Sequence, residues 1–389
     1  MVAKGSRRRT TKMKKNLKIM TVMGTRPEII RLACILPKMD EYFNHVVVFT
    51  SQSFDKQMST VFFQDFKLRE PDYVLSVKAD TLAGQVANIL TQTEEVMLKE
   101  KPDGLLILGD TNSALCAIIA KRLKIPIFHM EAGNRSFDEN VPEEINRRII
   151  DHISDFNLPY GEHSRRYLMR EGVHPGSIYT TGSPLAEVIN KYKKDIEGSN
   201  ILKELKLKER EYFLVSTHRE ENVDNPDNLR ELFESINAIT EEYGFPAIIT
   251  LHPRTRIRLE NAKIEPGPKV VLHEPFGFLD YNKLQMNALC VLSDSGTIQE
   301  ESTLMGFRAV QIRVSSERPE AFDVGAIVLT GFDRDAISAA VHLTVSEAEK
   351  GEVLQVPDTY KDKNVSTRVA KLIMGLASIR KNHNKQRYN

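Results

Sequence analysis

The chain has 389 residues, more than one compact hydrophobic core usually holds, so we expect two domains of roughly 150–200 residues each. Hydrophobic residues make up 41% of the chain and charged residues 28%, which excludes a disordered, collagen-like or coiled-coil protein. No apolar run approaches the ~18 residues of a membrane span. The three cysteines lie far apart in apolar contexts, which favours buried thiols in a reducing cytoplasm over a disulfide or zinc framework.

The net charge of +1 conceals an uneven distribution of charge. Seven basic residues lie in 1–16 and four in 378–389, with no acid in either segment, so residues 17–377 carry a net charge of about −10. A body this acidic is a poor surface for nucleic acid. Residues 1–16 lack the apolar region of a secretory signal, and we expect a solvated tail there, with a weak RNA or membrane contact as the alternative.

From residue 17 onward, short apolar runs alternate with amphipathic stretches. The apolar runs predict strands at 17–23, 45–50, 103–108, 126–130 and 177–181. Helical spacing predicts helices at 27–39, 82–98, 113–123, 142–152 and 162–171. This alternation favours a parallel sheet covered by helices on both faces.

The alternation stops at a polar stretch, 189–200, and then starts again. The second part predicts strands at 212–216, 247–251, 270–273, 290–293 and 309–312, and helices at 226–243, 279–288, 298–305 and 334–345. We therefore predict an α/β fold with two Rossmann-like doubly wound domains facing a cleft, at 17–188 and 200–364. A last helix, 365–379, is expected to pack on the first domain. Ligands of such sheets bind beyond the carboxyl ends of the strands, which makes the cleft the expected site.

An arginine follows the first predicted strand, in the segment Gly-Thr-Arg-Pro-Glu at 24–28. Proline suits the first turn of a helix, so Arg26 lies at a helix N-terminus, where free backbone N–H groups favour an anion. A guanidinium there can bind a phosphate through two parallel donors; a surface charge in a loop is the alternative. The segment is neither a GxGxxG fingerprint nor a P-loop.

Three acids occupy the ends of neighbouring predicted elements. Asp110 and Glu131 follow strands, and Glu143 follows the proline that begins a helix. Each alone is compatible with a helix cap or a partner of the helix dipole. Together they place several carboxylates on one rim, where such groups raise one another's pKa and permit acid–base chemistry near neutral pH.

The second half offers basic groups in equivalent places. His218 and His252 each follow a predicted strand, and Arg318 follows another. A histidine at such a position is more often functional than a lone surface histidine. No HExxH motif and no clustered Cys/His pattern is present, so we predict no metal site.

A polar segment begins the helix predicted at 298–305. Ser295, Gly296 and Thr297 present N–H groups and hydroxyls suited to a phosphate. Glu301, one turn into the helix, can bond ribose hydroxyls. The alternative interpretation is an ordinary capping box.

Taken in order, these segments resemble the non-hydrolysing UDP-N-acetylglucosamine 2-epimerase family. The resemblance extends over essentially 17–377 and rests on the motifs at 24–28, 109–111, 129–133, 142–144, 218–220, 294–301 and 317–320. It implies the two-domain plan of many nucleotide-sugar glycosyltransferases, a UDP-sugar substrate, no cofactor and a homodimer. It further implies inversion at C2 of a UDP-HexNAc, by elimination of UDP to a glycal and re-addition on the other face.

The resemblance also implies roles for individual residues. It assigns Asp110, Glu131 and Glu143 to proton transfer and sugar positioning, and His218 to the departure of UDP. It assigns the remaining UDP contacts to Arg26, Arg31, His252, Ser295, Gly296, Thr297 and Arg318 at the diphosphate, Glu301 at the ribose, and Phe276 and Tyr281 at the uracil. Which carboxylate removes the C2 proton stays open.

Three departures from the family pattern bear on the substrate. Arg31 stands where the family usually has lysine, and residues 52–55 replace a segment that in bacterial relatives contributes to an activating UDP-GlcNAc site. The loop after Glu131 is shorter and contains Phe137. That loop resembles the branch that forms UDP-N-acetyl-L-fucosamine from a 6-deoxy-talose precursor. A glycosyltransferase on the same plan, a hydrolysing relative and a non-catalytic UDP-sugar binder are also compatible with these motifs.

Overall fold

The computed structural model describes residues 16–51, 62–139, 141–217, 219, 224–251 and 253–386. Within these residues the chain forms two parallel six-stranded sheets, one in each half. The predicted α/β fold with two facing Rossmann-like halves is confirmed. Among the described helices, none combines the length and the apolar character needed to cross a membrane.

The first sheet has the strand order β3-β2-β1-β4-β5-β6. Its strands are β1 Lys18–Met23, β2 Asn44–Phe49, β3 Tyr73–Val74, β4 Gly104–Leu108, β5 Ile127–Met130 and β6 Phe156–Leu158. Because β1 pairs with β2 on one side and β4 on the other, the strand order reverses at β1. The crevice at the carboxyl ends of β1, β4 and β5 is therefore where this fold binds ligands.

The second sheet repeats the plan with the order β12-β11-β10-β7-β8-β9. Its strands are β7 Phe213–Thr217, β8 Ala247–Leu251, β9 Val270–His273, β10 Cys290–Ser293, β11 Ala309–Gln311 and β12 Val328–Leu329. The order reverses at β7, which pairs with both β8 and β10.

Helices cover both faces of each sheet. Those of the first half are Arg26–Leu32, Ile35–Tyr42, Leu82–Glu100, Ala117–Arg122, Pro142–Ile153, Glu162–Arg170 and Leu185–Glu197. Those of the second half are Ile201–Glu204, Pro226–Tyr243, Pro253–Ala262, Phe278–Asn287, Ile298–Met305, Glu320–Asp323 and Arg334–Glu349, and the long helix Val365–Gln386 follows them. Short 3₁₀ helices occur at Asn112–Cys116, Pro175–Ser177 and Asp358–Tyr360.

Burial on both faces explains why the central strands are continuous apolar runs rather than alternating ones. All five residues of β4 are buried. Leu105 and Leu106 are neighbours in that strand, yet they belong to separate apolar cores on opposite faces of the sheet. Val369 and Ile373, from helix Val365–Gln386, pack into one of these first-half cores.

The predicted interruption of secondary structure at the polar stretch 189–200 is wrong, because helix Leu185–Glu197 runs through most of that stretch. Its buried side includes Val188, Tyr192 and Ile196, at helical spacing, while its lysines lie on the exposed side. The high polarity of one face concealed the apolar stripe on the other.

The strand predicted at 177–181 is also wrong. Only Ile178 forms an isolated bridge, to Asn157 in β6, and β6 itself was not predicted. The predicted helix 27–39 is two helices, Arg26–Leu32 and Ile35–Tyr42. The strands β3 and β12 have only two residues each, too few for periodicity to show.

Gly133 is a position where the backbone requires glycine. Its φ is +79°, and a Cβ atom there would overlap the Ser164 carbonyl oxygen and lie 2.8 Å from Leu168 Cγ. Gly172 is a matched control, because its φ is +88° and a Cβ atom there would meet no atom within 4 Å.

We predict that Gly133→Ala destabilises the protein more than Gly172→Ala. Both substitutions cost about 1–2 kcal/mol for a left-handed residue with a Cβ atom. Only the first adds a clash with the backbone of helix Glu162–Arg170. Denaturant unfolding of the two variants measures the difference. Equal losses of unfolding free energy would show that the contact at Gly133 does not constrain the fold.

Candidate active site

A cavity of about 270 Å³ lies between the carboxyl ends of the two sheets. Both halves contribute to its walls. The charged lining residues are Glu28, Arg31, Asp110, Glu131, Glu143 and Arg147 from the first half, and Arg219, Glu317 and Arg318 from the second. The cavity therefore combines carboxylates with guanidinium groups at the place where the sheets meet.

A second cavity of about 240 Å³ adjoins the first and is more apolar. The two share lining residues, Pro27, Arg31, Ser295 and Thr297. Aromatic side chains line the second one: Phe62, Phe276, Phe278 and Tyr281. One continuous cleft thus has a charged part and an aromatic part.

Glu131 lies at the centre of the charged part. It directly follows β5 and has a left-handed backbone with φ +61°, a conformation that non-glycine residues keep only when their surroundings enforce it. Arg318 Nη2 donates to its Oε1 at 2.5 Å, Arg31 Nη1 donates to its Oε2, and the Tyr160 hydroxyl donates to Oε2 at 3.2 Å. Burial opposes ionisation, but the two guanidinium groups outweigh it and hold the pKa of Glu131 below its usual value.

The arginines that bind Glu131 also approach a second buried carboxylate. Arg318 Nη1 donates to Glu300 Oε2, and Arg31 Nη2 lies 3.9 Å from the same oxygen. Glu131 and Arg31 belong to the first half, whereas Glu300 and Arg318 belong to the second. Four buried charges of alternating sign therefore join the two halves across the cleft.

Asp110 follows β4 and is held by helix Pro142–Ile153. Arg147 Nε donates to its Oδ2 at 2.8 Å, and Nη2 of the same arginine binds the same oxygen. The Asn146 side-chain amide donates to the Asp110 carbonyl oxygen at 3.0 Å. Asp110 is thus fixed at the cavity wall from one helix, its carboxylate by Arg147 and its backbone by Asn146.

The two acids at the start of this helix differ in environment. Glu144 is buried and accepts from Ser136 N at 3.0 Å and from Arg147 Nη1 at 2.8 Å, so it braces the loop before the helix. Glu143 lines the cavity. Burial, reinforced by the nearby charge of Asp110, raises the pKa of Glu143 above its usual value. Glu143 therefore holds a proton more readily than an exposed glutamate does.

A second cavity carboxyl with a raised pKa is Glu28, for which the motifs gave no role of its own. Its Oε2 accepts from Gly24 N at 3.0 Å, Thr25 N at 2.8 Å and Thr25 Oγ1 at 2.7 Å, and its Oε1 lies 3.4 Å from Thr111 Oγ1. It thus ties the turn after β1 to the turn after β4. Burial raises the pKa of Glu28 to about 7, although these donors oppose the shift.

The helix Ile298–Met305 presents its N-terminus to the cleft. Thr297 Oγ1 donates to Glu301 Oε1 at 2.7 Å, and Gln285 Nε2 donates to Glu301 Oε2 at 2.7 Å. The Ser295 hydroxyl lies 2.9 Å from that of Thr297. Hydroxyls, backbone N–H groups and a carboxylate are therefore grouped where the charged and aromatic parts of the cleft meet.

The aromatic part is built around the N-terminal end of helix Phe278–Asn287. Phe276 stacks on His273 with ring centroids 4.1 Å apart and an angle of 15° between the rings. Tyr281 lies in the first turn of the helix and lines the same cavity. A flat recess of this kind suits a planar ring.

The structure brings most of the predicted site residues together in this cleft. The charged part contains Asp110, Glu131, Glu143, Arg31, Ser295, Gly296, Thr297 and Arg318, and the aromatic part contains Arg26, Phe276, Tyr281 and Glu301. His218 and His252 lie outside the described residues, as does the segment 52–55. Phe137 is 65% exposed, packs edge-on against Tyr167, and is not among the residues that line either cavity.

Several buried partners were not predicted from the sequence. Arg147 binds Asp110, Tyr160 binds Glu131, and Glu300 binds Arg318. The same cavity is also lined by Arg219 and Glu317. Arg147 lies four residues after Glu143, so helical spacing could have placed both on one face. No signal in the sequence distinguishes Glu300 from the acids around it. Among the described residues we find no cluster of His, Cys, Asp and Glu arranged to hold a metal ion.

We predict that Glu28→Gln changes how stability depends on pH. A carboxyl with a pKa of about 7 in the folded state and about 4.5 in the unfolded state retains a proton on folding, so its contribution to stability is lost as pH rises between these values. Relative to the unmodified chain, Glu28→Gln should gain about 3 kcal/mol in unfolding free energy from pH 4.5 to pH 8.

Urea unfolding at several pH values measures this difference. Glu95→Gln is the control, because Glu95 is exposed on helix Leu82–Glu100. Parallel stability curves for Glu28→Gln and the unmodified chain would contradict the assignment.

Known proteins are similar to this chain in both sequence and fold. A family model described as UDP-N-acetylglucosamine 2-epimerase matches residues 37–374. The structure of a UDP-N-acetylglucosamine 2-epimerase from Rickettsia bellii is 44% identical, covers 93% of this chain and 97% of its own, and has a TM-score of 0.87. That of Methanocaldococcus jannaschii UDP-GlcNAc 2-epimerase, in complex with UDP-GlcNAc and UDP, is 33% identical, covers 92% and 99%, and has a TM-score of 0.85.

A relative named for a different substrate is similar over the same length. The UDP-2,3-diacetamido-2,3-dideoxy-D-glucuronate 2-epimerase of Pseudomonas aeruginosa is 32% identical over 368 residues, which are 92% of this chain and 100% of that protein. The family model and the extent of these alignments confirm the resemblance that the motifs indicated. The chain belongs to the UDP-N-acetylglucosamine 2-epimerase family.

Proposed function

We propose that the protein interconverts UDP-GlcNAc and UDP-ManNAc by eliminating UDP and adding it back. The observation that carries this proposal is the continuous cleft, in which a group of carboxylates adjoins guanidinium groups, a helix N-terminus and an aromatic recess. The carboxylates suit a sugar, the guanidinium groups and helix N-terminus suit a diphosphate, and the aromatic recess suits a nucleobase. The Methanocaldococcus jannaschii relative, whose structure is a complex with UDP-GlcNAc and UDP, supports the same ligand.

The first chemical requirement is stabilisation of the charges that separate when the bond from C1 to oxygen breaks. Positive charge develops on the sugar and negative charge on the departing diphosphate. Glu131, ionised between two arginines, would face the sugar. Arg318, Arg31 and the N–H groups at Thr297 would face the diphosphate, joined by Arg26, Ser295 and Gly296.

The second requirement is exchange of the C2 proton between faces of the sugar ring. One group must take the proton from C2 as the C1–O bond breaks, and another must deliver a proton to the opposite face as UDP re-adds. We assign the first step to Asp110, which accepts hydrogen bonds from Arg147 as a carboxylate does, and the second to Glu143. The raised pKa of Glu143 keeps it protonated nearer to neutral pH, so the two environments divide acid from base.

The outer parts of the substrate would be held by residues of the second half. Glu301 would bond the ribose hydroxyls, and Phe276 and Tyr281 would flank the uracil. By family resemblance, His218 would assist the departure of UDP and His252 would contact the diphosphate.

The choice of UDP-GlcNAc over a 6-deoxy sugar rests on Phe137. An apolar wall near C6 would favour the 6-deoxy substrate, but this side chain is exposed and lines neither cavity.

We further propose that the enzyme is a cytoplasmic homodimer that supplies precursors of a surface polysaccharide such as an O-antigen or capsule. Light scattering at twice the 44.2 kDa chain mass tests the dimer, and the mass of a single chain would contradict it.

We predict that the protein incubated with UDP-GlcNAc in deuterated buffer incorporates deuterium at C2 and forms UDP-ManNAc. Because each epimer loses its C2 proton in the elimination and gains a proton from solvent in the re-addition, label should enter both epimers. Proton NMR follows the disappearance of the C2–H signal. Free UDP accumulating without an epimer would indicate hydrolysis instead, and label entering neither sugar would contradict the substrate.

We predict that Asp110→Asn and Glu131→Gln each slow deuterium exchange by about 10²–10⁴-fold, the usual cost of removing a group that acts on a proton or on transition-state charge. UDP binding by Asp110→Asn, measured by calorimetry, should remain. Glu139→Gln is the control, because that side chain is 80% exposed and 3.5 Å from Arg148 rather than in the cleft. Undiminished exchange in both site variants would overturn the role assignment.

A further inference from the structure

Asn134 lies in the wall of the charged part of the cleft, and neither the motifs nor the proposed reaction gives it a role. It follows Gly133 in the loop after β5, and it is buried. Among the described residues that line this part of the cleft, it is the one with a side-chain amide. An amide carries no charge and takes up no proton near neutral pH, so its use among these ions is to recognise a neutral polar group.

The side-chain amide of Asn134 is held in one orientation. Its Nδ2 donates to Glu131 Oε1 at 3.4 Å, and Ser164 Oγ donates to its Oδ1 at 2.8 Å. Because an ionised carboxylate only accepts, the NH₂ group faces Glu131 and the amide oxygen faces Ser164. The backbone is fixed as well, since Arg135 Nη1 donates to the Asn134 carbonyl oxygen at 2.7 Å. Asn134 is therefore a rigid part of the wall.

Glu131 does not depend on this amide for its position or its charge. Arg318 Nη2 donates to the same oxygen at 2.5 Å, and Arg31 and the Tyr160 hydroxyl donate to the other oxygen. The contact with Asn134 is the longest of these four, beyond the usual range of a hydrogen bond from nitrogen to oxygen. An uncharged donor at that distance adds little to a carboxylate that two guanidinium groups already bind. Holding Glu131 therefore does not explain the amide.

The amide of Asn134 has a donor to spare. An NH₂ group has two N–H bonds, and Glu131 accepts from one of them. Within the part of the chain that the structure describes, no residue accepts from the second. A buried donor without an acceptor is costly, and the adjoining cavity is where a ligand can supply one. The wall beside Glu131 thus calls for an oxygen that accepts a hydrogen bond.

The chemistry of the proposed substrate supplies such an oxygen. In the proposed function Glu131 faces the sugar, and Asp110 and Glu143 act on its C2 proton. A donor beside Glu131 therefore lies within reach of the substituent on C2, which is an acetamido group in a UDP-HexNAc. The carbonyl oxygen of that group accepts and cannot donate, so it matches a wall whose remaining polar group is a donor.

We propose that Asn134 is a specificity-determining residue that donates a hydrogen bond from Nδ2 to the acetamido carbonyl oxygen on C2 of the substrate. This inference rests on the proposed function, because it takes the sugar to lie beside Glu131. A hydroxyl on C2 is shorter than an acetamido group and would leave the N–H unsatisfied. Asn134 would thus select a UDP-HexNAc over a UDP-hexose.

The test is calorimetry of UDP-GlcNAc, UDP-glucose and UDP binding to the full-length protein, in an Asp110→Asn background that slows turnover. Asn134→Leu keeps a similar side-chain volume and removes both donors. It should weaken UDP-GlcNAc binding about 10-fold, the usual effect of one hydrogen bond between uncharged groups, and leave UDP-glucose and UDP within about 2-fold. Asn134→Ala, which is too small to clash with the wall, repeats the comparison.

Tyr160→Phe is the matched control. It removes another donor to Glu131, at 3.2 Å, from a residue that is not among those lining either cavity. Its effect on ligands must pass through Glu131, so it should change the affinities for UDP-GlcNAc and UDP-glucose by the same factor. An effect of Asn134 exerted only through Glu131 would follow that pattern instead of a selective loss.

The outcomes separate this inference from the proposed function. Equal weakening of both nucleotide sugars by Asn134→Leu and Asn134→Ala, or unchanged UDP-GlcNAc affinity in both, would overturn the contact. Equal affinities for UDP-GlcNAc and UDP-glucose with Asn134 in place would overturn it too. Retained UDP binding shows that each variant is folded. Selective binding by a chain that forms no UDP-ManNAc would overturn the proposed function and leave the acetamido contact confirmed.

Discussion

The ion pair between Arg318 and Glu131 is the contact on which the geometry of the cleft depends. It joins the second half of the molecule to the first inside a buried site, and Arg31 and Glu300 extend it to four alternating charges. Buried charges are tolerated only when they are paired and hydrogen-bonded. Because each charge in this cluster needs its neighbours, the two sheets are held with their carboxyl ends facing one another.

The same cluster prepares the cleft for an anionic ligand. A guanidinium has five donors, so Arg31 and Arg318 can bind Glu131 and still present N–H groups to the cavity that both line. Glu131 remains ionised because of them. The cations near Glu143 do not outweigh its burial, and its pKa rises instead. Neighbouring carboxyls thus differ in how readily they hold a proton, and the cause is their different environments.

Local patterns in the sequence located the ends of the strands that meet at the cleft. Apolar runs followed by Gly-Asp, Glu-Ala-Gly or Ser-Gly-Thr located strand ends, and strand ends meet at the cleft in a doubly wound sheet. Prediction failed at helix Leu185–Glu197, where exposed lysines hid a buried stripe that includes Val188 and Tyr192. Composition over a short window cannot separate an amphipathic helix from a linker unless the positions are compared at helical spacing.

The buried charged partners could not be predicted from the sequence for another reason. Glu300 and Arg147 are charged residues in helices, where a surface position is the ordinary expectation. Their importance arises from partners distant in sequence: Arg318 lies 18 residues from Glu300, and Asp110 lies 37 residues from Arg147. Only the assembled sheets bring these pairs together. The ends of predicted strands and helices, and then the family resemblance, indicated the acids of the candidate site but not the residues that hold them.

Reversible cleavage of the bond between C1 and the β-phosphate oxygen is the reaction that we propose for this cleft. The most direct measurement uses UDP-GlcNAc with ¹⁸O at that bridging position and follows the label by ³¹P NMR. If UDP leaves and re-adds, the freed phosphate rotates, and the label appears in non-bridging positions of recovered UDP-GlcNAc. Formation of UDP-ManNAc with all of the label still in the bridging position would contradict elimination and re-addition.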